Sequence, residues 1–307
     1  MTDFYQKLST LSAEANLFIN EPMKLHTTFQ VGGPADYYIC PETKEEIIAI
    51  LSLCKKEGIP FYVMGNGSNL LVGDGGYRGV IINTYEHFNN IQVKGFSITA
   101  SAGASLSRIA HQAMKHSLSG FAFASGIPGS LGGACIMNAG AYGGEIGQVL
   151  TSVVALDESL NAVTFSRDDM ELGYRTSIFA KKALTVLEAT IHLKPGDKHV
   201  IKEEMDALTN QRKEKQPLEF PSAGSTFKRP QGYFAGKLIG DSGLSGTSIG
   251  GAMISPKHNG FVINTGNASS RDIISLIDLV IETVKDKFGV EMEPEIKRLG
   301  DFKEKEM

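Results

Sequence analysis

The stretch GNGSNLLVGDGG, residues 65–76, follows the apolar run FYVM (61–64), and its reading separates one class of nucleotide-binding fold from another. A Rossmann fingerprint needs G-x-G-x-x-G opening a helix, so that the helix N-terminus faces a pyrophosphate. Gly65 and Gly67 satisfy the first two positions, but Leu70 stands at the sixth. The continuation LLVGDGGYRGVIIN holds glycines at 73, 75, 76 and 79 and β-branched residues at 80–82. It reads as turns and another strand, with no helix. Two readings of the turn stay open. It is a glycine-rich hairpin connection, or it is a nest of successive backbone N–H groups that binds an anion without a helix. Ser68 and Asn69 would add side-chain donors to such a nest.

Upstream, DYYI (36–39) reads as a strand, and Thr43-x-x-Glu46 is a capping-box pattern. Ile47, Ile50, Leu51 and Cys54 then line one helix face, and Gly58 and Pro60 end it. This β-α-β unit delivers the chain to the glycine turn. Residues 1–20 read as one amphipathic helix. Downstream, 79–104 reads as strands and about 105–118 as a helix with Leu106, Ile109, Ala110 and Ala113 inward. The segment 184–193 alternates Leu187, Ala189, Ile191 and Leu193 with polar residues, as a half-buried strand does. After Pro195-Gly196 the texture changes, and a domain boundary is expected near 195–205. A charged helix follows, then a loop at 221–230, a short helix at 234–242 and a strand at FVINTG (261–266). Ser269-x-x-Asp272 starts a helix that Gly289 stops. VEMEPEIKRL reads as a short strand whose Pro294 demands an edge or a bulge.

The chain of 307 residues, net charge −4, is ordinary in apolar and charged content for a globular protein. Its charge argues against a broad nucleic-acid surface. No apolar run reaches the ~18 residues that span a bilayer, and the N-terminal stretch does not read as a signal peptide. Cys40, Cys54 and Cys135 lie far apart and form no C-x-x-C. Neither a disulfide framework nor a metal site is expected, and a cytoplasmic setting fits.

A second glycine-rich stretch, SGFAFASGIPGSLGGACIMNAGAYGGEIG (119–147), holds nine glycines with no regular period. A loop this long, with too little charge for disorder, is expected to pack around a ligand. GNGSN and SGIPGSLGG can grip one pyrophosphate from two sides, because glycine lets the backbone approach an anion closely.

Six ordered motifs then carry a resemblance: KLHTTFQVGGPADYY (24–38), GNGSNLLV (65–72), SGIPGSLGGACIMNAGAYG (125–143), GYRTSIF (173–179), AGSTFKRP (223–230) and EPEIKRLG (293–300). Together they resemble the UDP-N-acetylenolpyruvoylglucosamine reductases (MurB). The fold this implies is α+β: a two-lobed FAD-binding domain of the vanillyl-alcohol oxidase type, followed by a smaller α+β substrate-binding domain. The division expected is 1–78 for the first flavin lobe, 79–200 for the second and 201–307 for the substrate domain.

The resemblance also implies site residues. Gly65, Asn66, Gly67, Ser68, Asn69 and Leu70 would hold the FAD pyrophosphate. Ser125, Gly126, Ile127, Pro128, Gly129, Gly132, Gly133, Asn138 and Ala139 would line the cofactor. Arg175, Ser225 and Glu295 match the family's catalytic arginine, proton donor and glutamate. Lys215, Lys228, Arg229, Lys237 and His258 are the candidates for substrate contact, Lys215 and Arg229 foremost. Hydride would pass from NADPH to FAD and on to the vinyl carbon of UDP-N-acetylglucosamine enolpyruvate. Arg175 would stabilise the enolate charge, Ser225 would protonate the carbon, and Glu295 would orient or protonate the intermediate. The interval between Arg175 and Ser225 leaves no room for the lid-tyrosine loop of longer family members, so the chain resembles the shorter subtype.

Two rivals differ in kind: an oxidase on the same flavin fold, and a flavin-free nucleotide-binding module. Against the oxidase, no histidine lies between 65 and 86, where such enzymes often anchor flavin.

Overall fold

The computed structural model describes residues 3–302, beginning with a short helix, α1 (Asp3–Ser9). The single helix expected over 1–20 is corrected, and residues 1 and 2 lie outside the described residues. Ser9 and Thr10 turn their hydroxyls back onto the carbonyls of Gln6 and Lys7, which competes with continued helix. Leu17–Pro22, with its apolar and aromatic start, is instead strand β1. Strand β2 (Pro34–Ile39) leads to helix α2 (Lys44–Glu57) and strand β3 (Phe61–Met64). The Thr43 hydroxyl caps α2 by accepting from the Glu46 N–H, and Gly58 ends it in the left-handed region at φ 66°. Ile47, Ile50, Leu51 and Cys54 are fully buried. They pack with Leu8, Ile39, Val80 and Ile82 in one core, where truncating a leucine to alanine costs about 2–5 kcal/mol.

After strand β4 (Leu70–Val72) comes β5 (Tyr77–Asn83), which pairs parallel with β3, Phe61 opposite Val80 through Met64 opposite Asn83. The sheet order is β1-β2-β5-β3, as a β-α-β crossover with one intervening strand gives. Strands β6 (Ile91–Lys94) and β7 (Ser97–Ser101) precede helix α3 (Leu106–Lys115), capped by Ser105. They belong to a five-stranded antiparallel sheet with Leu150–Leu156, Ala162–Ser166 and Thr185–His192. The second core lies on this sheet and gathers α3, residues 121–139 and the start of the helix Lys198–Lys215. The long glycine-rich stretch is not structureless. It carries helix α4 (Leu131–Met137) and a small hairpin of Gly140–Ala141 with Gly144–Glu145.

Contacts divide the chain into two units. One comprises the chain up to Phe18, Tyr37–Asn66 and Gly79–Arg212; the other comprises Ile19–Asp36, Gly67–Arg78 and the chain from Lys213 onward. The second unit has its own core, in which Ile273, Leu276, Ile277, Val280 and Val284 of the helix Ser270–Phe288 pack with Phe29, Leu71, Phe227 and Val262. A three-stranded antiparallel sheet, Ser248–Ile249, Ala252–Ile254 and Val262–Asn264, lies in this unit. Lys297–Leu299 pairs parallel with β4. The strand expected over VEMEPEIKRL is therefore confined to its last residues, and Pro294 forms only an isolated bridge with Phe227.

The helix Ser270–Phe288 begins with a full capping box: Ser269 accepts from the Asp272 N–H at 3.0 Å and Asp272 accepts from the Ser269 N–H at 2.9 Å. Burial pushes the Asp272 carboxyl up, but donation from the backbone of Ser269 and Gly251 outweighs it and holds the pKa below the usual range. A depressed folded-state pKa contributes stability above the unfolded value and loses it as pH falls through the folded value. Asp272→Ala is therefore expected to lower stability by about 1 kcal/mol at pH 7. In denaturant titrations, the deficit against wild type should shrink as pH falls below about 4.

All three cysteines are buried. Burial pushes the thiols of Cys54 and Cys135 up to about 12, so both are protonated packing side chains at neutral pH. No helix among the described residues is long and apolar enough to cross a membrane.

Candidate functional site

The glycine run that opened the sequence has two halves with different jobs. In the second half, a Cβ on Gly73 would lie 2.0 Å from the Asp301 carbonyl oxygen, and one on Gly76 would lie 1.9 Å from that of Pro34. The Gly73 N–H donates to Leu299 and the Gly75 N–H to Asp301. A Cβ on Gly33, in the VGGP motif, would meet the Asp74 carbonyl at 2.1 Å. These glycines let three backbones pass at close quarters within the second unit. GDGG is thus a packing device.

The first half is different. Within the first unit, Gly65 lies against Ser130: a Cβ there would be 2.0 Å from its hydroxyl oxygen. The Asn66 amide donates to the Pro128 carbonyl at 2.6 Å. The two glycine-rich stretches are thus brought together, GN from the first against P-G-S from the second. Ser130 has a further task, because its hydroxyl accepts from the Gly133 N–H and caps α4. Below them, Leu131 and Gly132 donate their N–H groups to the carbonyls of Ala104 and Ala102, each at 2.8 Å, and Leu106 donates to Gly129 at 3.0 Å. A Cβ on Gly132 would approach that of Ala102 to 2.8 Å. The cradle floor is therefore backbone seated on backbone. Arg212 flanks it: its side chain lies 3.3 Å from where a Gly126 Cβ would be, and burial pushes its guanidinium below the usual value. Nothing local in the sequence marks Arg212 as the neighbour of Gly126, 86 residues before it.

Arg175 sits in a two-residue turn closed by Gly173 and Thr176, whose N–H groups donate to each other's carbonyls at 3.1 and 3.3 Å. Its φ of 55° is left-handed, and its guanidinium donates to the Gly140 carbonyl at 3.4 Å. Asn138, expected to contact the cofactor, spends its side chain on protein. It donates to Glu145 at 2.8 Å and to the Gly173 carbonyl at 3.0 Å, and it accepts from the Gly147 N–H at 3.0 Å.

In the second unit, residues 226–228 and 293–295 form a short antiparallel ladder. The Glu295 N–H donates to Thr226 and the Lys228 N–H to Glu293, each at 2.8 Å, with Phe227 opposite Pro294. Thr226 is fully buried and its hydroxyl accepts from the Val262 N–H at 3.0 Å. Ser225, one residue before it, is exposed. The Glu295 carbonyl accepts from the Asn69 amide at 3.2 Å, and the Lys297 N–H donates to the Asn69 carbonyl. Ser225, Glu295 and the GSN part of the glycine turn therefore form one neighbourhood, with Gly67 in the left-handed region at φ 61°. Leu70 is buried in β4. Thr226 holds this neighbourhood together, and the sequence marked only its serine neighbour.

The candidate substrate residues divide. Lys228 pairs with Glu293, and Lys237 pairs with Asp241 one helical turn on, at 2.6 Å. Arg229 stacks over the Phe234 ring at 3.8 Å. His258 accepts from the Gly260 N–H at 3.2 Å, packs on Phe261, and burial pushes its pKa below the usual value, so it is neutral at pH 7. Lys215 is exposed at the end of its helix.

Residues 216–299 match the family model of the C-terminal domain of UDP-N-acetylenolpyruvoylglucosamine reductase, and residues 35–162 match that of an FAD binding domain. The UDP-N-acetylenolpyruvoylglucosamine reductase of Caldanaerobacter subterraneus subsp. tengcongensis is 52% identical over 295 residues, covering 96% of this chain and 97% of that protein. One from Clostridium perfringens is 49% identical over 298 residues, covering 97% and 98%. The crystal structure of the reductase (MurB) from Thermus caldophilus superposes with a TM-score of 0.78 at 33% identity, covering 92% of this chain and 98% of that one. A variant of berberine bridge enzyme shares the fold alone, at a TM-score of 0.51 and 15% identity over 64% of this chain and 44% of its own.

An FAD-binding domain needs polar atoms aimed at a ligand and a floor with no side chains in the way. The first unit fits. The Ser125 hydroxyl is buried and has no hydrogen-bond partner among the described residues. Gly65 and Gly132 stand where a Cβ would collide with a neighbour, and one on Gly126 would press tightly on Arg212.

Proposed function

The chain belongs to the UDP-N-acetylenolpyruvoylglucosamine reductase family of FAD-dependent oxidoreductases, and from that membership we propose that it reduces UDP-N-acetylglucosamine enolpyruvate to UDP-N-acetylmuramate with NADPH as reductant, in cytoplasmic peptidoglycan precursor synthesis. When bound, FAD would supply two-electron hydride chemistry, coupling NADPH as the reductant to the vinyl carbon of the enolpyruvyl ether as the acceptor. The observation that best supports this reading is the ladder joining Thr226 to Glu295, which sets Ser225 and Glu295 at neighbouring positions beside Asn69.

The chain's own residues then have distinct tasks. Gly65–Leu70, Ser125–Gly129, Gly132, Gly133 and Ala139 hold the dinucleotide, the Ser125 hydroxyl supplying a donor that no described residue uses. Arg175 lies against the substrate carboxylate and stabilises negative charge as it develops on the adjacent carbon. Ser225 gives its hydroxyl proton to that carbon. A serine hydroxyl is a weak acid, but an enolate carbon is a strong base, so the transfer runs downhill. Glu295, 9% exposed, orients the intermediate beside the serine. Lys215 and Arg229 contact the substrate's anionic groups, with Lys228, Lys237 and His258 as secondary contacts.

The test is anaerobic. The purified protein should be yellow, NADPH should bleach its flavin absorbance, and the enolpyruvyl nucleotide should restore the colour without oxygen. Flavin reduced by simple alcohols but indifferent to NADPH would support an oxidase instead. A colourless protein that retains UDP-sugars would support a flavin-free binding module.

A further inference from the structure

We propose that Asn138 is a positioning residue for Arg175: its amide clamps the strained turn that carries the arginine. The inference rests on the catalytic reading of Arg175 and adds to it the device that holds that side chain in place.

The geometry argues for it from both ends of the turn. The turn is short and Arg175 occupies the left-handed region at φ 55°, which a branched or long side chain adopts only when its surroundings hold it there. Ahead of the arginine, the Gly173 carbonyl accepts two bonds, one from the Thr176 N–H that closes the turn and one from the Asn138 amide at 3.0 Å. Behind it, the Ser177 hydroxyl, fully buried, donates to the Ile136 carbonyl at 2.7 Å. The end of α4 therefore grips the turn on both sides of Arg175. Asn138 is itself fixed: it is 4% exposed and is the left-handed C-cap of α4 at φ 44°. Its second amide hydrogen goes to Glu145, and its oxygen takes the Gly147 N–H. All three polar bonds end on protein groups, in contrast to the Ser125 hydroxyl of the same stretch. An amide is required here. It must donate twice, to a carbonyl and a carboxylate, and accept once, and aspartate or alanine cannot.

Asn138→Gly is the sharpest probe, because glycine keeps the left-handed backbone while deleting the clamp. Activity is read per bound flavin, as two separate half-reactions followed anaerobically. The expected result is flavin content and NADPH reduction within about twofold of wild type, with reoxidation by the enolpyruvyl nucleotide slowed roughly 10–100-fold, the cost of a misplaced catalytic group. Asn138→Asp keeps the acceptor for Gly147 but loses both donors, and should show the same selective loss if the glycine variant proves unstable. In the Arg175→Ala background, Asn138→Gly should add no further slowing, since the clamp acts only through the arginine. Parallel loss of both half-reactions, or additive losses in the double variant, would make Asn138 merely structural and overturn the proposal. Unchanged reoxidation in Asn138→Gly, while Arg175→Ala is crippled, would overturn the clamp alone. An Arg175→Ala enzyme that reoxidises normally would overturn the reading of Arg175 and the clamp with it.

Discussion

Alanine in place of Ser225 is expected to leave reduction of the bound flavin by NADPH within about twofold of wild type, and to slow its reoxidation by the enolpyruvyl nucleotide about 10²–10⁴-fold, the usual loss when a positioned proton donor is removed. The surroundings of Ser225 confine the expected loss to one step. Ser225 is exposed, whereas Thr226 beside it carries the structural load: buried, bonded through its N–H to Gly260, through its carbonyl to Glu295 and through its hydroxyl to Val262. Deleting the serine hydroxyl leaves that scaffold intact. Stopped-flow absorbance in the two directions separates the steps. A matched decline in both would end the proton-donor assignment. Thr226→Ala should behave differently, losing stability before it loses a particular step, because it strips a buried N–H of its acceptor.

Gly103→Ala is expected to cause the largest structural damage of any single methyl added to the first unit's cradle. The new Cβ would lie 1.8 Å from the Thr84 carbonyl oxygen and 2.5 Å from that of Phe88. Both obstacles are backbone, which cannot rotate away as a side-chain tip can. The Gly103 N–H already donates to Phe88 at 3.0 Å, so the segments cannot separate without losing that bond. Forcing them apart costs about 3 kcal/mol or more, and would lower the thermal midpoint by roughly 6–12 °C. The neighbours Ala102 and Ala104 seat Gly132 and Leu131, so flavin should be released well before global unfolding. Flavin fluorescence during a thermal ramp of the holoprotein reads both events. Gly95→Ala is the control: its φ is 59°, but nothing lies within 4 Å of the added methyl. If the two variants melted together, the crowding argument would be wrong.

Much of the local structure was legible in the chain. Thr43, Ser269, Gly58 and Gly289 mark helix ends where the structure has them, because capping is settled among residues three or four apart. The alternation over 184–193 became the strand Thr185–His192 for the same local reason. The helix expected over 1–20 went astray because apolar spacing alone does not reveal that Ser9 and Thr10 bend their hydroxyls back onto the chain. Within the long glycine-rich stretch, α4 is only two turns long and rich in glycine. Helix propensity could not announce it. The packing of Leu131 and Gly132 on Ala104 and Ala102 holds it.

The candidate site divides along the same line. By itself the sequence determined the family, through six motifs in order, and with it the residue types that flavin chemistry and carbon protonation require. Tertiary structure alone decided which glycine does what. Gly73 and Gly76 answer to Asp301 and Pro34, and Gly65 answers to Ser130, although all three sit in one twelve-residue run. It also brought the Asn138 amide to the Gly173 carbonyl, 35 residues on. The physical reason is range. Torsional preference and hydrophobic period are written among near neighbours, whereas crowding by a carbonyl, or the partner of a buried amide, depends on backbone that arrives from tens or hundreds of residues away.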